Sequence, residues 1–351
     1  MKNGVTLKVI IEKRSDAIYV YSKAIIQKLK EKYLGIEVIT VDNRKFKSPF
    51  LNILLEVLNT IKIIFLIRRK DIVLFTDPLP LNFLSSLFIK NKKFSLFFHY
   101  EESPLYYKFL PFLSFKNTLD LFDGIICSSN YSLSQLHALG INNKRCRVIY
   151  GGIDHQLFKP VSKKFYPFEY ILSVGSEEPR KNMENILKSF KILIKDFPQI
   201  KLLKVGKASE KNRRDTMHWI ENLQLTESVV FTDYVQEDKL SSIYSGAKLL
   251  LFPSFLEGFG LPVVEAMACG CPVVTSNLNP LQELISTKQR AVNPNNPREI
   301  AQECKNILTN QRYRSTIIKN GLLRVKEFNW EETASGIYDY VTKKDKTHYK
   351  N

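Results

Sequence analysis

Short apolar runs alternate with longer stretches of helical spacing through the first half of this chain. Val5 to Ile11, Ile36 to Val41, Ile72 to Phe75, Phe94 to Phe98 and Gly124 to Cys127 read as strands buried on both faces. Tyr21 to Lys32 and Asn52 to Arg69 carry the helical pattern between them. Such alternation predicts an open, parallel α/β sheet. Gly151-Gly152-Ile153-Asp154, Phe158-Lys159-Pro160 and a polar stretch to Pro167 then predict a linker. A second series follows it. Tyr170 to Val174 is a strand closed by Gly175, Asn185 to Phe197 an amphipathic helix, and Lys201 to Val205 a strand closed by Gly206. Val229 to Phe231, Leu249 to Phe252 and Pro272 to Thr275 complete a small parallel sheet. In the tail, Trp330, Ala334, Ile337 and Val341 have helical spacing.

Length and composition agree with two domains: 351 residues, 44% of them apolar. The net charge of +17 is less ordinary, and it is uneven. Residues 1–160 hold 24 Lys/Arg against 13 Asp/Glu, a net +11, which leaves +6 for the remainder. A basic surface suits nucleic acid or anionic lipid, and the Lys, Ile and Asn codons of an AT-rich genome produce much the same excess. The five cysteines, at 127, 146, 269, 271 and 304, are scattered and read as reduced cytosolic thiols without metal or disulfide roles. Met1 to Lys8 leads straight into a strand, so no signal peptide is expected. Residues 51–67 are strongly apolar, but Glu56 and Lys62 interrupt them short of the ~20 residues a membrane span needs. They read as a core or interfacial helix.

The richest segment for chemistry is Pro253-Ser254-Phe255-Leu256-Glu257-Gly258-Phe259-Gly260-Leu261-Pro262-Val263-Val264-Glu265. One glutamate lies on a glycine-broken loop and the other lies inside a helix expected to open at Pro262, since proline suits a first helical turn. Backbone amides of Phe259, Gly260 and Leu261 would face outward at the positive end of that helix, a seat for phosphate. Glu265, a turn further in, can reach hydroxyls such as those of a ribose. Glu257, expected to stand exposed beside Gly258, can reach a second polyol. A diphosphate with a hydroxyl-bearing sugar on each side has the shape of a nucleotide-sugar. The second segment, Val174-Gly175-Ser176-Glu177-Glu178-Pro179-Arg180-Lys181-Asn182, sets a forked and a compact cation ahead of a helix, which suits a diphosphate. His99 ends an apolar strand, so it points from the carboxyl edge of the first sheet, where open α/β sheets bind ligands. No G-x-G-x-x-G follows a strand, against a dinucleotide oxidoreductase, and both glutamates flank a phosphate-type loop, against a glycosidase.

The Glu257-x7-Glu265 spacing, the Glu257-Gly258-Phe259-Gly260 loop and Glu265-Ala266-Met267-Ala268-Cys269-Gly270 resemble the signature of the retaining glycosyltransferases of family 4. The resemblance implies a GT-B fold: α/β, two Rossmann-like parallel-sheet domains facing a central cleft. It divides the chain into an acceptor-binding domain (1–160), a nucleotide-sugar-binding domain (161–328) and a helix (329–351) that returns to the first. It implies that Glu257, His99, Arg180 and Lys181 carry catalysis. Gly175, Arg180, Lys181, Gly206, Val235, Glu257, Gly258, Phe259, Gly260, Leu261 and Glu265 would hold the donor. The basic pair would neutralise the leaving diphosphate, His99 would contact the transferred sugar, and Gly206 and Val235 would meet the nucleobase through backbone. Asp154 resembles the family's hinge motif. One departure is in the first strand-to-helix loop, Glu12 to Tyr19, which lacks the family's glycine pair; Ser15-Asp16 is expected to cap the helix there instead.

The implied reaction moves a hexosyl unit from a UDP- or GDP-hexose to a hydroxyl on a glycan or lipid-linked glycan. The expectation is a metal-independent, cofactor-free enzyme, since the chain has no Asp-x-Asp motif. Nucleic acid is not an expected partner of such an enzyme. The opposing reading is an inactive GT-B protein whose basic first half binds membrane or nucleic acid. Residues 104–116 interleave aromatics with Lys108 and Lys116, as an interfacial segment requires. The protein is expected to be cytoplasmic, and with such a segment near the acceptor entrance the enzyme would rest on the inner face of the cell membrane; an aromatic-rich loop packed in the interdomain cleft fits the same residues.

Overall fold

The computed structural model describes residues 5–13, 17–42, 49–77, 81–98, 115–162, 165–233, 235–285 and 291–342. His99, Ser15-Asp16 and residues 104–114 therefore lie outside the described residues. The chain divides into two compact units, residues 1–152 with 330–351, and residues 153–329.

The first unit is built on a parallel sheet of six strands: β1 (Leu7–Lys13), β2 (Ile36–Asp42), β3 (Ile72–Phe75), β4 (Lys93–Phe97), β5 (Gly124–Cys127) and β6 (Cys146–Val148), in the order β2-β1-β3-β4-β5-β6. Ile10, Val73, Phe75, Phe97 and Ile125 meet helix residues such as Leu136 in one buried cluster. The central strands β3, β4 and β5 are buried along nearly their whole length, which is why they read as apolar runs. Helix Trp330–Thr342 belongs to this unit. Its Trp330 ring meets Tyr21 edge-on at 4.8 Å, and Tyr338 stacks on Tyr33 at 3.6 Å. Lys116 lies in the short helix Phe115–Asp120 and pairs with Asp120 at 2.6 Å. Among the described residues no helix is long and apolar enough to cross a membrane.

The second unit holds a parallel five-stranded sheet: β7 (Tyr170–Val174), β8 (Lys201–Val205), β9 (Val229–Thr232), β10 (Leu250–Phe252) and β11 (Val273–Thr275), in the order β11-β10-β7-β8-β9. Its core joins Ile171, Leu202, Leu251 and Val274 to Phe190 and Ile300 of the covering helices. From β7 the chain winds outward through β8 to β9, then returns to the other side of β7 for β10 and β11. The strand order therefore reverses at β7, and the carboxyl ends of β7 and β10 mark the topological switch point where open α/β sheets take ligands.

Candidate active site at the carboxyl edge of the second sheet

The loops after β7, β8 and β10 meet at this switch point. Backbone pairing runs past the strand ends, with Gly175 N donating to Val205 O at 2.9 Å and Gly206 N to Thr232 O at 2.9 Å. Gly206 takes φ +124°, and a Cβ there would stand 2.2 Å from Gly175 O. No side chain fits between two backbones that close, so glycine is a steric requirement at this position.

After Gly175, a single 3₁₀ turn, Pro179–Lys181, ends in Asn182, whose φ of 62° is left-handed. Asn182 is held there by its amide, which donates to Pro253 O at 2.9 Å and Pro294 O at 2.8 Å. Phe255 N donates to Arg180 O at 2.8 Å, tying this turn to the loop after β10. The turn aims both cations at that loop. Lys181 Nζ stands 2.6 Å from Glu257 Oε1, and Arg180 Nη1 lies 3.4 Å from Glu257 Oε2 while its Nη2 meets Glu178 at 2.7 Å. Lys181 also sits 5.0 Å over the Phe252 ring. Burial lowers the pKa of Lys181, against the opposing charge of Glu257.

Here the structure corrects the sequence reading: Glu257 is only 6% exposed rather than free on its loop. A carboxylate in that position needs compensating charge, and two cations from 76 and 77 residues earlier in the chain supply it. Helix Leu261–Ala268 begins one residue ahead of Pro262, with Gly260 as its cap at φ 105°. A Cβ on Gly260 would meet Leu281 at 2.7 Å. Phe259 is buried against Phe328, while Gly258 and Leu261 are half-buried. Half-buried Glu265 accepts from the Tyr244 hydroxyl at 2.6 Å. Burial pushes its carboxyl up to about 7, against the Tyr244 hydrogen bond. Val235 is half-buried, three residues beyond β9. Asp154 Oδ1 accepts from the amides of Gln156 and Leu157 at 2.8 and 3.1 Å, closing a turn.

A second charged chain borders the cluster and was missed from sequence. Lys204, 1% exposed, donates to Gly175 O at 2.5 Å. Burial pushes it down to about 8, partly offset by Glu177. Glu177 is itself buried and accepts from Arg213 Nε at 3.0 Å, and Arg213 also reaches Asp233 at 2.8 Å. The signal was present: Lys204 interrupts the apolar run of a central strand, where a charge has no solvent to face. The edge thus gathers Gly175, Arg180, Lys181, Gly206 and Glu257 within a few side-chain lengths. Such a set can hold a group bearing both anionic and hydroxyl oxygens.

Comparisons with known proteins agree with this architecture. The model of Glycosyltransferase Family 4 matches residues 12–157, and that of Glycosyl transferases group 1 matches residues 154–324. The O-antigen chain mannosyltransferase B of Escherichia coli is 32% identical over 169 residues, 46% of this chain and 42% of that one. The serotype-specific mannosyltransferase WbdA of Escherichia coli is 31% identical over 170 residues, 48% of this chain and 21% of that one. The chain therefore spans about a fifth to two fifths of the length of these relatives. Among solved structures, the sucrose-phosphate synthase of Thermosynechococcus elongatus superposes with a TM-score of 0.80 at 19% identity, over 96% of this chain and 98% of that one. Anabaena Alr3699/HepE, solved in complex with UDP and glucose, does so at 0.78 and 17% identity, over 96% and 99%. Likeness at that identity shows the fold. With two parallel α/β sheets and family matches that together run from residue 12 to residue 324, this chain belongs to the group 1, family 4 glycosyltransferases of GT-B fold.

Proposed function

We propose that the protein is a retaining hexosyltransferase that takes a nucleoside diphosphate hexose as donor and a hydroxyl of a glycan or lipid-linked glycan as acceptor. One observation carries the reading: Lys181 and Arg180 converge on Glu257 at the switch point of the second sheet. Breaking the anomeric bond leaves negative charge on the diphosphate. Fixed cations aimed there stabilise the transition state more than the ground state, which is what raises a rate. The amino end of helix Leu261–Ala268 adds a positive dipole beside them. Glu257 then serves as the acceptor of sugar hydroxyls and holds both cations in place between turnovers. Glu265, hydrogen-bonded by Tyr244, faces the ribose, and Gly206 and Val235 meet the base through backbone. As the acceptor oxygen bonds to the anomeric carbon and the carbon–phosphate oxygen bond breaks, the acceptor proton passes to the departing phosphate. His99 contacts the transferred sugar on this reading. The names of the mannosyltransferase relatives, and of Alr3699/HepE solved with UDP-glucose, favour GDP-mannose and UDP-glucose as the donors to try first.

The test is a donor panel incubated with glycan acceptors, with and without excess EDTA, following nucleotide release and the anomeric configuration of the product. Transfer from one donor with retained configuration, unchanged by EDTA, is expected. An inverted product, or activity lost in EDTA and restored by Mg²⁺ or Mn²⁺, contradicts the mechanism. Absence of transfer across the panel contradicts the function.

A further inference from the structure

Helix Pro49–Leu66 anchors Ile63 in the core but turns a row of apolar residues outward. A surface helix ordinarily turns its apolar stripe toward the core and its polar residues toward water. Here the polar residues Asn59 and Thr60 are buried, at 6% and 5% exposure. Asn59 Nδ2 donates to Asp42 O at 2.8 Å, and Thr60 Oγ1 shares a hydrogen bond with Ser85 Oγ at 3.1 Å. Leu51, Leu54, Leu58, Ile61 and Phe65, spaced three and four apart along one face, all lie in solvent, with Phe65 85% exposed. The neighbouring helix Leu81–Phe88 packs against this one and adds exposed Leu87 and Phe88. Single exposed apolar residues are commonplace. A contiguous row from Leu51 to Phe65, along ~21 Å of helix at ~1.5 Å per residue, marks an interaction surface.

Charge says what covers it. Both helices end on the same basic cluster. Exposed Arg68, Arg69 and Lys70 follow the first, and exposed Lys90 and Lys92 follow the second. Asn91 clips the two ends together, its amide donating to Arg68 O and Asp71 O at 2.8 Å. Asp71, the nearby acid, is buried and accepts from Arg68 N at 2.9 Å, so it faces away from water. An apolar helical face bordered by cations, with no exposed acid among residues 57–70, matches the requirements of an in-plane membrane helix.

We propose that this face docks the protein on an anionic bilayer, helix Pro49–Leu66 lying in the interface with Phe65 and Phe88 among the acyl chains and the basic cluster on the headgroups. The proposal stands on the first unit alone and does not depend on transferase activity.

The test is cosedimentation of the full chain with vesicles of phosphatidylcholine, alone or with about a third phosphatidylglycerol. The native protein is expected to bind the anionic vesicles and to be released by 0.5 M salt. Ile61→Glu with Phe65→Glu replaces two exposed residues, so the fold should persist, as a native circular dichroism melt would verify, while binding disappears. Arg69→Gln with Lys70→Gln should weaken binding about twenty-fivefold, at about fivefold per basic residue near an anionic surface. Equal binding to neutral and anionic vesicles, or unchanged binding in both variants, overturns the proposal. Light scattering that shows a dimer split by the Ile61/Phe65 variant, without vesicle binding, overturns it in favour of a second copy of the chain.

Discussion

Replacing Lys181 by methionine tests the ion cluster most sharply, because it keeps an unbranched side chain of similar length and removes the ammonium that stands 5.0 Å over the Phe252 ring. The Lys181 and Glu257 side chains are 13% and 7% exposed, so little water screens the pair. Removing one partner of a buried pair leaves an uncompensated charge and costs ~3–5 kcal/mol. Arg180 remains, but at 3.4 Å, 30% exposed and shared with Glu178, it compensates only in part. Lys181→Met should therefore fall near the lower end, about 3 kcal/mol. Lys181→Met with Glu257→Gln removes both charges together and should return to within ~1 kcal/mol of the native protein, giving a coupling of at least ~2 kcal/mol. Urea unfolding measures this. At a slope of about 2 kcal/mol per M, the single variant should unfold at a urea concentration more than ~1 M lower. Trp219, packed on the core of the second unit, reports the transition in a Trp330→Phe background. Single variants that each cost under ~1 kcal/mol and simply add in the double variant would show a solvated, uncoupled lysine and refute the reasoning.

Three further outcomes follow from the same site. Gly206→Ala drives a Cβ to 2.2 Å from Gly175 O at φ +124°, and should cost more than ~2 kcal/mol in urea unfolding while abolishing donor binding; a native-like variant would mean that the two loops do not abut. Lys204, at about 8 in the folded protein, sheds its proton below the ordinary lysine value of 10.5, so the unfolded chain binds more protons between those limits. Its contribution to stability should be present above pH 10.5 and lost as pH falls through 8, and Lys204→Met should flatten that part of a stability–pH profile. Glu265, raised to about 7, keeps a proton that the unfolded chain has lost, so its contribution is present below pH 4.5 and lost as pH rises through 7; Glu265→Gln should remove that slope, and a slope left intact would assign it elsewhere.

Buried parallel strands were the most legible elements, and the reason is physical. Ile72–Phe75, Gly124–Cys127, Tyr170–Val174 and Lys201–Val205 have the same bounds in sequence and structure because a strand covered on both faces is mostly apolar, Lys204 being the buried exception. Helix ends were less legible. The helix read as Asn185 to Phe197 stops at Leu193, where Asp196 N and Phe197 N both turn back to Leu193 O. At the site, Gly175, Arg180, Lys181, Gly206 and Glu257 were recognisable as a set, but the burial of Glu257 was not. A glycine-flanked loop reads as exposed, and the cations that bury this one arrive through tertiary contact. Lys204 and the chain of charge through Glu177 and Arg213 were overlooked for the same reason. The helical pattern of residues 52–69 read as a core or interfacial helix without showing which side looks outward, and here a row of apolar residues does.

The central claim is that the carboxyl edge of the second sheet holds a nucleoside diphosphate through Lys181 and its neighbours. Calorimetric titration of UDP and GDP into the native protein and into the folded Lys181→Met/Glu257→Gln variant tests it most directly. The native protein should bind one equivalent of its preferred nucleotide, and the variant should bind at least ~tenfold more weakly, the cost of losing a charged hydrogen bond to the diphosphate. Equal affinity in the two proteins would contradict the account.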